Sequence, residues 1–425
     1  MNNMKSCKSL FITAIAILIV QPAFSQTDLE RCIQLAYDNY PQIQEYNLIE
    51  LTRKYDISNA TTAWAPQLNV SGKASWQSVV VEMPFDIPGM KFDIPHDQYG
   101  ISADLTQQIW DGGATSVKRK LVDAGADVKS RQLDVNLYSI RSRVQNIYLG
   151  INLIDRQLSL NEVLSESLKR TLDEMESMVE NGVAYASDRD QIKVSILSCD
   201  QQKIALQTDR KAYVQMLSML TGTDMQNYTF EEPKVDAYNA SYGEISRPEL
   251  ALYDAQSKQI DLQKHQLNVN LSPRLNLNLQ AGYGRPGLNM LSGKFDPYFV
   301  AGLKMQWNLG GFYTIRNDRR KSDAEASKLE LARKSFLLNT SIEALEKQSE
   351  IEKAADVMRR DGEIISLRQS IRETAENQYK EGVIKMNDYL SLLDDEFNAR
   401  LNSDIHIIQY IMAVLDLQNT IGIEN

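Results

Sequence analysis

Eleven prolines punctuate this chain unevenly: none lies between Pro95 and Pro233, and none follows Pro297. An interior proline removes a helical hydrogen bond and clashes with the preceding turn, at a cost of about 3 kcal/mol. The two proline-free tracts are therefore where very long helices can form. From Ala114 to Glu180 the sequence is rich in Leu, Ala, Lys, Glu, Gln and Arg, all good helix formers. Apolar residues recur three or four apart at Val135, Leu137, Ile140, Val144, Ile147, Tyr148, Ile151, Ile154 and Leu158, which marks one buried stripe. At 1.5 Å per residue such a helix runs roughly 100 Å, more than a globular domain can enclose.

The punctuation is written twice. Pro41 and Pro248 are 207 positions apart, as are Pro66 and Pro273. ADLTQQIWDGG, ending at Gly113, aligns without a gap on AGLKMQWNLGG, ending at Gly311. NGVAYASD at 181–188 returns as EGVIKMND at 381–388, each with Gly-Val and an aspartate six positions after the glycine. Offsets this steady across nearly the whole chain indicate two copies of one unit. Each copy reads as a helix (about Leu29 to Ala63, then about Glu244 to Asn270), a proline turn, a two-stranded hairpin, a Gly-Gly exit, a very long helix, the Gly-Val break and a return helix.

Between the prolines the period changes to two. Leu68, Val70, Ala74 and Trp76 oppose Asn69, Ser71, Lys73 and Ser75; Tyr99, Ile101, Ala103, Leu105 and Ile109 oppose Gln98, Ser102, Asp104, Thr106 and Gln108. The second copy repeats this with Leu275, Leu277, Leu279, Ala281 and Tyr283, and with Phe299, Ala301, Leu303, Met305 and Trp307. Strands of about ten residues with one apolar and one polar face suit a membrane barrel, and suit a soluble sandwich too. The arrangement favours the barrel, because two short hairpins cannot supply facing sheets. Four strands cannot close a barrel alone, whereas a symmetric trimer would supply twelve. Trp76, Trp110 and Trp307, with Tyr99, Tyr283 and Tyr298, are placed to form interfacial belts.

The first 25 residues read as a secretory leader: Lys5 and Lys8 precede an apolar run from Leu10 to Val20 that is shorter than a spanning helix, and cleavage is expected after Ser25. Without Lys5 and Lys8 the formal charge moves from −10 to −12, and an acidic chain with no basic block is a poor nucleic-acid ligand. Past the leader no apolar stretch is long enough to span a bilayer as a helix, so membrane contact falls to strands. Cys7 departs with the leader; Cys32 and Cys199 show no spacing motif and read as unpaired thiols. His96, His265 and His406 are scattered, and GYGRPG at 282–287 has no helix after it, so no metal site, nucleotide loop or catalytic set is expected. Asp394-Asp395-Glu396 reads as a solvated helix face.

Taken in order, the leader, the duplicated helix–hairpin–helix unit, Asp38-Asn39-Tyr40-Pro41 echoed by Arg247-Pro248-Glu249-Leu250, the prolines Pro66 and Pro273 ahead of strands, and the paired Gly-Val breaks resemble TolC-family outer-membrane efflux proteins. The resemblance covers essentially residues 26–422. It implies a mainly α chain with membrane β: three copies share a twelve-stranded β-barrel in the outer membrane of a Gram-negative bacterium, continuous with a long periplasmic α-helical barrel. It implies a passive exit duct for tripartite efflux or type I secretion, not an enzyme and without cofactors, whose partners are a homotrimer, a periplasmic adaptor (membrane fusion) protein, an inner-membrane pump and outer-membrane lipid, and not nucleic acid. The Gly-Val breaks become periplasmic tips, with Gly182, Val183, Gly382 and Val383 contacting the adaptor. Asp188 and Asp388 cap the returning helices, and Tyr379 with Asp388 matches gate positions. Ile384 and Ser391 depart from the family's gate, and Lys385 and Asp394 lie close enough to substitute. The competing reading is a secreted trimeric helical stalk or adhesin without a pore.

The expected division is therefore a leader over 1–25; a first repeat over 26–243, with strands at about 67–80 and 98–110 and a tip turn at 181–187; and a second over 244–425, with strands at about 274–285 and 297–309 and a tip turn at 381–387.

Overall fold

The structure, a computed structural model, describes residues 26–80, 94–235, 244–291 and 293–423. The expected leader, with Cys7, and the repeat boundary at 243 lie outside the described residues. The chain forms two compact units, one from 26–36, 144–234 and 360–408, the other from the described residues of 37–143, 235–359 and 409–425. Each unit draws on both sequence repeats.

The first unit opens with strand β1 (Gln26–Thr27) and helix α1 (Leu29–Asn39). Asp28 starts this helix by accepting the Arg31 backbone N–H at 2.7 Å, and Leu29, Cys32, Ile33 and Ala36 bury one face. The single helix expected from Leu29 to Ala63 is broken: Pro41 lacks an amide and forces Tyr40 into an extended conformation. The chain restarts as a 3-10 turn (Pro41–Gln44) and helix α2 (Glu45–Thr61), which belongs to the second unit.

That second unit carries the sheet. Strands β2 (Gln67–Trp76) and β3 (Asp97–Trp110) precede helix α3 (Ala114–Glu180). Along this helix Leu137, Ile140, Val144, Tyr148, Ile151 and Ile154 are buried, as the periodicity predicts. The return helix α4 (Ala186–Thr221) ends on left-handed Gly222, and strand β4 (Thr229–Phe230) pairs in parallel with β1. The second repeat gives α5 (Pro248–Val269), β5 (Arg274–Arg285), β6 (Asp296–Gln306), α6 (Ile315–Lys380) and α7 (Met386–Ile421). Helix α5 begins at Pro248, where proline's missing amide costs nothing, four residues later than expected. Among the described residues no helix is long and apolar enough to cross a membrane.

The sheet order is β2-β3-β5-β6, with antiparallel pairing throughout and β2 and β6 at its edges. Directly opposed residues sort by chemistry. One row runs Leu68, Leu105, Leu279, Ala301 and the next Val70, Ala103, Ala281, Phe299. On the other face Ser71 faces Ser102 with their hydroxyls 2.9 Å apart, and Thr106 donates to Asn278 at 3.1 Å. The apolar face is uncovered: Leu68, Val70, Phe299, Leu303 and Met305 are between 63% and 68% exposed.

Two details depart from simple alternation. A bulge between Gln108 and Trp110 inserts Ile109, so that Trp110 falls opposite Leu275 in an apolar row although strict period-two counting puts it on the polar face. Tyr298, expected in an interfacial belt, instead shares the polar row of Ser71 and Ser102. Its ring occupies the space where Gly282 has no side chain, 2.3 Å from where a Cβ would stand.

The two Gly-Gly exits also differ. Gly112 and Gly113 have φ of 67° and 92°, which lets Asp111 turn back and accept the N–H groups of Gly113 at 2.8 Å and Thr115 at 2.7 Å. Burial pushes the Asp111 carboxyl up, but these bonds outweigh it and hold it below the ordinary carboxylate value. Gly310 and Gly311 lie instead inside a 3-10 turn (Leu309–Tyr313), and leucine stands where Asp111 does.

Each unit has its own core. In the first, Leu168, Met175, Ile192, Ala375, Met386, Tyr389, Leu390 and Leu393 pack together with Cys199. In the second, Ala344, Ile351, Ala413, Val414, Leu417 and Ile421 form the cluster. Cys32 and Cys199 are both buried and form no disulfide.

Candidate functional site

The paired Gly-Val breaks both lie in the first unit, and they are built alike. At the end of α3 the Gly182 N–H donates to Val179 O at 3.0 Å and the Val183 N–H to Met178 O at 2.9 Å. At the end of α6 Gly382 N–H donates to Tyr379 O at 2.9 Å and Val383 N–H to Gln378 O at 2.8 Å. This double bond pattern satisfies the last helical carbonyls and requires a left-handed residue at its centre. Gly182 and Gly382 both supply φ of 72°. The chain then reverses within a few residues.

Burial alternates across each break. Val183, Tyr185 and Val383 are 74%, 78% and 70% exposed, whereas Ala184 and Ile384 pack against the core of the unit. Ile384 thus anchors its turn from beneath. Lys385, next in sequence, is exposed.

The returning helices start differently. Asp388, third residue of α7, accepts the Lys385 backbone N–H at 3.3 Å, the carboxylate half of a capping box. Asp188 occupies the same position in α4, whose N-cap, Tyr185, makes no side-chain capping bond. Its negative charge still sits in the first turn, where the helix dipole favours it.

Tyr379, on the last turn of α6, stacks on Tyr389 of α7 with ring centroids 6.0 Å apart, and its hydroxyl lies 3.7 Å from the Met175 sulfur. Burial, and then the charge of Asp188, push its phenol up. Tyr379 and Asp188 therefore share one neighbourhood, contributed by different repeats.

Above the second break stands an ion network that sequence reading misplaced. Glu396, expected on a solvated face, is buried at 7% exposure and is held by Arg372 at 3.0 Å and Arg400 at 2.6 Å. Arg372 also binds Glu376 at 2.9 Å, and Glu376 binds Lys380 at 2.9 Å. Asp395 pairs with Arg368 at 2.6 Å, while Asp394 is exposed. Glu376 and Lys380, like Glu396 and Arg400, are four residues apart on one helix, a spacing readable in advance. The Arg372–Glu396 link between α6 and α7 is not local and left no such trace. A groove of about 710 Å³ beside this network is lined by four arginines and four carboxylates, among them Arg156, Arg170, Glu174 and Asp404, so it favours neither sign of ligand.

One unit thus carries an uncovered amphipathic sheet of four strands, and the other a matched pair of helical reversals. This chain matches, over residues 32–223, the family model described as Outer membrane efflux protein. No curated protein sequence matches it. Its fold is similar to that of the CmeC outer membrane channel of Campylobacter jejuni, with a TM-score of 0.63 and 14% identity over 93% of this chain and 85% of that one. The outer membrane protein VceC of Vibrio cholerae gives a TM-score of 0.63 and 14% identity, over 93% of this chain and 96% of that one. For the open state of the Neisseria gonorrhoeae MtrE outer membrane channel the values are 0.62 and 14%, over 93% and 88%.

Proposed function

We propose that this protein is the exit duct of a tripartite efflux assembly in the outer membrane of a Gram-negative bacterium. Three copies join their four-stranded sheets into one twelve-stranded barrel, and the helices extend into the periplasm. The observation that carries this reading is the sheet itself, apolar and uncovered on one face and open at β2 and β6. Ten-residue edges of unpaired backbone amides and carbonyls are not tolerated in lipid, and closure by further copies removes them. Conduction is passive: the polar rows line water, no bond is made or broken, and the energy comes from an inner-membrane pump.

Gly182, Val183, Gly382 and Val383 are the contact points for a periplasmic adaptor. The double-bonded turns fix their backbones, and the exposed valines offer small apolar knobs to a partner. Tyr379, Asp188 and Asp388 belong to the gate region just inside these tips. Purified protein reconstituted in planar bilayers is expected to conduct ions and to require detergent for solubility. The double variant Val183→Asp, Val383→Asp is expected to conduct equally well but to lose at least tenfold in adaptor capture, because two buried-at-contact valines become unpaired charges. Unchanged capture would remove the tips from the docking surface, and absence of conductance in the unaltered protein would remove the duct.

A further inference from the structure

All four strands meet their helices at the same end of the sheet, where Trp110, Leu275 and Met305 are directly opposed and Arg274 faces Gln306. Exposed aromatic side chains collect there: Trp110 at 48%, Trp307 at 49% and Tyr313 at 89%. Amphipathic rings of this kind settle at the level of lipid headgroups. Immediately beyond, the first two turns of α3 carry Lys118, Arg119 and Lys120, and the first two turns of α6 carry Arg316, Arg319, Arg320 and Lys321. All seven are exposed.

This placement runs against local preference. A helix N-terminus favours acidic residues, yet the first turn of α3 has none and that of α6 has only Asp318. The whole chain carries a formal charge of −10, so a basic cluster is not a by-product of composition. Among the described residues none of the seven cations makes a salt bridge; Arg319 bonds the Asn268 side-chain oxygen instead. Seven cations without internal counter-ions, one turn past an aromatic belt, call for an external anion at that depth.

We propose that this junction binds the phosphate groups of anionic phospholipids in the leaflet facing the helices. The inference rests on the sheet being membrane-embedded, and it adds a lipid requirement that a duct does not need in order to conduct. The aromatic rings set the depth of the sheet, and the lysines and arginines reach the headgroups one turn further on, where each adds attraction to a negative surface. Arg316, Arg320 and Lys321 on α6 with the three cations of α3 form the binding set.

The full chain in neutral detergent is titrated with phosphatidylglycerol, with phosphatidylcholine and with inorganic phosphate, and bound lipid is counted by native mass spectrometry. Phosphatidylglycerol is expected to bind about tenfold or more tightly than phosphatidylcholine, with no competition from millimolar inorganic phosphate. The variant K118Q, R119Q, K120Q, R316Q, R320Q, K321Q is expected to lose that preference, while exchange of each lysine for arginine and each arginine for lysine keeps it. Conductance of the same samples in neutral bilayers reports whether the sheet inserts. A conducting protein with no phosphatidylglycerol preference overturns the headgroup inference alone, as does a conducting glutamine variant that retains it. Competition by inorganic phosphate would show a general anion site and overturn the lipid assignment. No conductance from the unaltered protein would fell the duct reading beneath it.

Discussion

Replacement of Glu396 by alanine is expected to lower the stability of the first unit by about 2 kcal/mol, read as a fall in thermal midpoint in detergent with the sheet unaffected. Removing one member of a buried ion pair leaves the others charged and desolvated, which costs about 3–5 kcal/mol when burial is complete. Here the loss is smaller, because Arg400 is 40% exposed and water screens it. Arg372, only 21% exposed and bonded across from α6, accounts for most of the effect. Acid should imitate the mutation. Burial pushes the Glu396 carboxyl up, but hydrogen bonds from Arg400 and Arg372 outweigh it and leave it below its ordinary value of 4.5. Glu376 is lowered as well, chiefly by its bond from Lys380. A carboxyl lowered in the folded state contributes stability that is fully present above the unfolded value and is lost as pH falls through the folded one. The unaltered protein should therefore hold its midpoint from neutrality down to about pH 4.5 and lose it below. E396Q should start lower at neutral pH and decline less steeply in acid; parallel curves would mean that the network is not titrating.

Gly422→Ala is expected to cost about 3 kcal/mol, combining left-handed strain with overpacking that backbone cannot relieve. Gly422 ends α7 at φ 83°, and a Cβ there would lie 2.6 Å from Ser246 C and 2.7 Å from both Arg247 N and Ser246 O. The Ser246 N–H also donates to Ile421 O at 2.7 Å, so the two segments cannot part without losing a bond. Gly182→Ala supplies the comparison: the same left-handed region, but nothing within 4 Å of the added carbon. It should cost about 1 kcal/mol. Hydrogen exchange at the last turn of α7 would distinguish the two, with faster exchange in the Gly422 variant and none of that change in the Gly182 variant. Equal midpoints for both would mean that the Ser246 segment moves aside freely.

Much of the architecture was legible because it is written in local rules. Proline placement and a change of period from 3.6 to 2 locate the long helices and all four strands to within a few residues, and the repeated Gly-Val pair identifies both reversals. What escaped depends on single residues overriding the pattern. Pro41 breaks a helix whose polar-apolar spacing continues on either side of it. One extra residue at Ile109 returns Trp110 to the apolar face, and a bulge has no composition of its own. Tyr298 looked like a belt residue because its size was visible, whereas the space above Gly282 that admits its ring was not. The left-handed turns at Gly182-Val183 and Gly382-Val383 could be read from the repeated pair itself. The Arg372–Glu396 bond could not, since nothing local to Asp394-Asp395-Glu396 reveals that one of the three turns inward.

The burial of Cys32 and Cys199 has a practical side. Burial, followed by the nearby charges of Asp394 and Asp200, pushes the Cys199 thiol up, and little reactive thiolate forms near neutrality. Electrophilic probes would therefore meet little background from these two buried thiols. A lone thiol engineered at Val383 could carry a spin label or fluorophore, letting spectroscopy follow the tip without first stripping out either natural sulfur.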